Sequence, residues 1–132
     1  MSARLAKLIQ VRRVASRIAS GAFAESAARA ADHASLVDRI EAAARVVVAD
    51  EGIATGADFA ARFELAERMR AAGTLARHRA EIAFAERQDA AVERKAAIRA
   101  LDAVTDIHRA GDRANMRRRE AKSIVPLAKV QL

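Results

Sequence analysis

From Ser2 to about Asp50 the apolar residues recur at spacings of three and four, the period of a helix that buries one face. Only Gly21 interrupts that stretch, and a lone glycine weakens a helix without stopping it. The sole cluster of turn formers follows at Asp50-Glu51-Gly52-Ile53-Ala54-Thr55-Gly56. Thr55 with Asp58 three residues on resembles a capping box, which starts a second helix near Gly56. The helical period then continues to about Ile124, where Pro126 is expected to end it. The pattern predicts an all-α chain: a helix over 2–50, a turn over 51–56, a helix over 57–124 and a tail over 125–132.

A helix of that length needs a partner surface, because propensity alone does not hold it. In the first helix, Leu8, Val11, Ala15, Ile18 and Ala22 form one stripe. The stripe moves to Phe23, Ala27, Ala30, Ala34 and Val37, then to Leu36, Ile40, Ala43 and Val47, which predicts a stutter near Gly21–Phe23. In the second helix Met69, Ala76, Ala83, Ala90, Ala97 and Val104 recur every seventh residue. Small residues at that repeat suit a close antiparallel coil, so the expected fold is one two-helix coiled-coil hairpin. Folding back at residues 52–55 sets Phe23 beside Phe84, Leu8 beside Ile98, Leu5 beside Leu101 and Val48 beside Phe59. With Ile40 and Met69, these residues make the expected seam. The same offset matches Arg13 with Glu93, Arg17 with Asp89, Asp38 with Arg68 and Arg39 with Glu67.

Composition agrees with the helical reading: 36 of 132 residues are alanine, there is one proline, and aromatic residues are four phenylalanines. So few bulky side chains cannot fill the core of an ordinary globule, which excludes most enzyme folds. Without cysteine there is no disulfide framework, thiolate metal site or cysteine nucleophile. No apolar run approaches the ~18 residues of a membrane span. The acid-free, arginine-bearing start, with Ala22-Phe23-Ala24, has some features of a targeting segment. Its arginines break any secretory apolar core; a mitochondrial transit peptide is the alternative to a basic first helix, the reading preferred here.

The net charge of +7 is unevenly spread. Residues 1–20 hold five basic groups and no acid, residues 94–132 hold ten against four acids, and the middle is mildly acidic. A hairpin brings the two basic ends together, in a pole including Arg12, Arg13, Arg94 and Lys95. Beyond about residue 105 the second helix outruns the first, and there Arg109, Arg113, Arg117, Arg118 and Lys122 make a basic face, with Val104, Ile107, Ala110, Ala114 and Ala121 on the other. A basic helix with an apolar stripe is a candidate docking element; a solvated helix end is the plainer alternative.

Catalytic and cofactor chemistry finds no footing. His33, His78 and His108 are scattered, and none follows an acid at the spacing of a helix-bundle metal site. Ser26, Asp32 and His33 lack oxyanion donors, since a helix interior has no free N–H groups. No catalytic, cofactor-binding or metal residue is assigned. Arginine-rich helices do bind phosphates, so a nucleic-acid-associated protein is one alternative, weakened by the lack of aromatic platforms. A scaffold hairpin that completes its core by self-association is another.

Leu5-x-x-Leu8-x-x-Val11-Arg12-Arg13, the run Glu93-Arg94-Lys95-Ala96-Ala97 and the arginine-rich end of the second helix resemble the flagellar FliJ family. The resemblance covers residues 1 to about 124. It implies a non-enzymatic coiled-coil stalk of the flagellar type III protein export apparatus, similar in architecture to the shaft of rotary ATPases. It further implies a cytoplasmic place beside the membrane-embedded apparatus, in the pore of the hexameric export ATPase. The implied partners are that ATPase, the export-gate membrane protein and export chaperones.

Overall fold

Two helices, α1 (Ala3–Ala49) and α2 (Gly56–Val130), pack against each other as a helical hairpin. The computed structural model describes the backbone of residues 2–49 and 56–130 and the side chains of 2–47 and 56–124. The expected turn, with Thr55 and the Val48 side chain, lies outside the described residues, as do Gln131 and Leu132 of the tail. The helix expected to end before Pro126 instead runs to Val130. An interior proline costs the bond to the Lys122 carbonyl, but it does not forbid helix on its C-terminal side.

Burial follows one alternation of three and four along each helix, the spacing of a coiled coil, interrupted at three arginines. In α1 it passes through Ile9, Ser16, Phe23, Ala30, Val37 and Ala44 at position a and through Ala19, Ser26, His33, Ile40 and Val47 at d. In α2 it passes through Ala66, Gly73, Ala80 and Leu101 at a and Met69, Ala76, Ala83, Ala90, Ala97 and Val104 at d. Arg12 in α1 and Arg87 and Arg94 in α2 share this phase but are exposed, their length carrying the guanidinium outward.

Two of the expected stripes are therefore corrected. In the last of α1, Leu36 and Ala43 are exposed, and Ile40 and Val47 alone keep to the seam. In the first, Leu8, Val11 and Ile18 are 41%, 62% and 67% exposed, and the seam runs one position round the helix through Leu5, Ile9, Ser16 and Ala19. Bulky apolar residues drew the sequence reading to the wrong phase, because the true one contains Arg12, Ser16 and Ser26. The stutter near Gly21 is absent; the same phase passes from Ser16 through Ala19 to Phe23. Phe59 and Phe84 of the expected seam are also exposed, whereas Phe23, Ile40, Met69, Ile98 and Leu101 are half-buried.

The chain divides into two compact units, residues 21–92 and residues 1–20 with 93–132. In the first, Gly73 faces Ile40, and Glu41 of α1 pairs with Arg77 of α2 at 3.1 Å. Ile40 was expected opposite residues 66–67, so the pairing is displaced by one heptad. The expected ion pairs go with it. Arg68 bonds to Glu64 at 2.8 Å and Glu67 to Arg70, both along α2, leaving Asp38 and Arg39 without those partners. Arg13–Glu93 is not among the ion pairs of the described residues either. Among the described residues of the second unit, Ile9 of α1 and Val104 of α2 are the buried apolar side chains, and the heptad phases set them opposite each other.

Candidate partner-binding surface

The unit formed by residues 1–20 and 93–132 contains both basic segments. It holds fifteen Lys and Arg against five Asp and Glu, while residues 21–92 hold nine against twelve. One compact body thus carries +10 and the other −3. Arg12, Arg13, Arg94, Lys95, Arg109, Arg113, Arg117, Arg118 and Lys122 all belong to the basic unit and are all exposed. Arg12, Arg94, Arg118 and Lys122 sit in the phase of the seam, the last two beyond its final buried rung, and the rest lie off that phase.

Among the described side chains His108 is the last of α2 to be half-buried, and residues 109–124 are exposed on every face. With Ile9 set opposite Val104, the start of α1 at Ala3 falls opposite about residue 110, where α2 runs past its partner helix. Carried onward, the seam positions fall on Gly111, Asn115, Arg118 and Lys122, none of which supplies an apolar knob. The Val104 of the expected overhang stripe belongs to the buried seam, whereas Ile107, Ala110, Ala114 and Ala121 are exposed. Asp112 stays close to His108, with 3.3 Å between Nε2 and a carboxylate oxygen.

Buried polarity is small and satisfied. Ser26, 6% exposed, accepts a hydrogen bond from Arg29 at 3.3 Å, and no buried side-chain nitrogen or oxygen among the described residues lacks a partner. Phe23 and Phe84 both line one hollow of about 290 Å³, with Arg87, Gln88 and Ala91. Another, of about 230 Å³, is edged by Arg29, His33, Arg79 and Glu86. Both open along the helix pair and fall below the usual size of a small-molecule site. Among the described residues no group of three His, Asp or Glu could hold a metal ion, and no helix is long and apolar enough to cross a membrane.

What the site offers is charge on a helix surface, held apart from any enclosed cavity. Sequence reading found the charge but missed where the apolar surface beside it lies, because it assigned Leu8, Val11 and Ile18 to the seam. No protein-family model, curated protein or solved structure matches the chain.

Proposed function

We propose that this chain is a non-enzymatic helical stalk that docks by its basic unit on an acidic protein partner. The partner is the hexameric ATPase of a flagellar type III export apparatus, as the likeness to the FliJ family implies. The observation that carries the docking reading is the segment 109–124, helical, exposed on every face and bearing Arg109, Arg113 and Arg117 one turn apart. A helix that its own chain leaves uncovered, and that carries so many cations, suits an acidic lining. The reading places the protein in the cytoplasm beside the export-gate membrane protein, with export chaperones as further partners.

The purified chain is expected to co-elute with the export ATPase and to raise its turnover. Changing Arg109, Arg113 and Arg117 together to Glu is expected to weaken that association by about tenfold or more. Co-elution and turnover unchanged in the triple variant would sink the docking reading. Tight binding of duplex DNA with a steep negative salt slope would favour a nucleic-acid partner instead.

A further inference from the structure

The flank of the hairpin that the seam leaves uncovered has a chemistry of its own. In an antiparallel helix pair the g residues of both helices border one side of the seam and the e residues border the other. Glu41 and Arg77, both at e, meet across the helices and fix which side is which. Within the basic unit the central g and c positions are apolar on both helices: Leu8, Val11, Ala15 and Ile18 on α1, and Ala96, Ala100, Ala103, Ile107 and Ala110 on α2, with Arg4, Glu93 and Arg117 at the ends. Val11, Ile18 and Ile107 are 62%, 67% and 62% exposed, although they are bulkier than most of the seam. The opposite side carries Gln10, Arg13, Arg17, Lys95, Asp102 and Thr105 at b and e, and its apolar residues Ala6 and Ile98 are half-buried beside the seam. The two flanks therefore differ in kind.

We propose that the g/c flank of the basic unit is a docking surface for an acidic amphipathic helix, received as a third helix against Val11, Ile18 and Ile107. This deepens the docking reading above, on which it rests, by naming the chemistry of the partner. Charge complementarity chooses the occupant. Arg4 and Lys7 rim the flank on α1, and Arg99, Arg113 and Arg117 rim it on α2, five cations against the acids Glu93, Asp106 and Glu120. A second copy would bring a +10 unit against another +10 unit and is disfavoured. A nucleic-acid backbone would satisfy the rim but leave the apolar side chains against water and phosphate. A helix with leucines on one face and glutamates beside them satisfies both.

The test uses the full chain and a fluorescent synthetic helix of about three heptads, Leu at a and d and Glu at e and g. Controls are a scrambled peptide of the same composition and a version with Lys for Glu. Binding is read by anisotropy for the wild type, for Val11→Ser with Ile18→Ser, and for Gln10→Ser on the other flank. These positions are exposed, so circular dichroism is expected to show unchanged helix content. The acidic helix is expected to bind about tenfold or more tighter than the scramble, and the double variant to lose about tenfold while Gln10→Ser loses nothing. Equal binding of the scramble, or of the double variant, overturns the proposal. So does a wild-type dimer in sedimentation that the double variant abolishes. Peptide binding as described without engagement of the export ATPase leaves the flank standing and removes the stalk reading; the reverse overturns the flank alone.

Discussion

Gly73 lies directly against Ile40: a β-carbon built on the glycine would stand 3.6 Å from the isoleucine Cγ2. That is an ordinary van der Waals distance, and the glycine has no positive φ to protect. Gly73→Ala is therefore expected to stabilise the hairpin by about 1 kcal/mol, through lower unfolded-chain entropy and a filled seam. In thermal melts this reads as a rise of roughly 3 °C. A larger side chain reverses the sign, and Gly73→Leu is expected to lower the midpoint.

Ala83 is 5% exposed in the seam, and Ala85 two residues on is exposed. Ala83→Leu must push the helices apart or adopt a strained rotamer, at a cost of about 1–3 kcal/mol. Ala85→Leu meets water and is expected to stay within about 0.5 kcal/mol of the parent. Chemical denaturation of the pair measures the difference, and equal midpoints would place Ala83 outside the seam.

The ion pair of Glu41 with Arg77 fixes orientation more than stability. Its side chains are 35% and 60% exposed, so a double-mutant cycle is expected to yield less than about 1 kcal/mol. In 1 M salt, where screening acts within about 3 Å, the coupling is expected to vanish.

A helix without tertiary cover opens at little cost, so stability is expected to fall steeply beyond His108. Brief trypsin treatment should cut first at Arg109, Arg113 and Arg117–Arg119. Amides of 109–124 should exchange far faster than those around Ala76 and Ala83. Addition of the bound partner is expected to protect the same segment, and protection without partner would show that the helix is already covered.

The hairpin was legible because helix period, alanine content and a single turn cluster all point one way. The repeat from Met69 to Val104 was legible too, since each of its members is small or apolar. In α1 the logic that buries large apolar residues failed. Burial there depends on which phase lets two backbones come close, and Ser16 and Ala19 allow this better than Val11 and Ile18. Counting charge along the chain located the basic unit, but the apolar flank beside it stayed hidden while its residues were assigned to the seam. Pairing of individual ions was the least legible feature, as Arg68 and Glu67 found partners within their own helix instead.

The alanines at 76, 83, 90 and 97 carry one more consequence. A ladder of identical rungs cannot tell one alignment from the next, so sliding α2 by seven residues, about 10 Å, returns alanine to alanine. Discrimination falls on a few irregular places: Ile40 in the gap left by Gly73, and Ile9 against Val104. Filling that gap or trimming that contact would loosen the choice of alignment far more than it would loosen the helices. These few side chains act as the stops on a scale that otherwise has no marks.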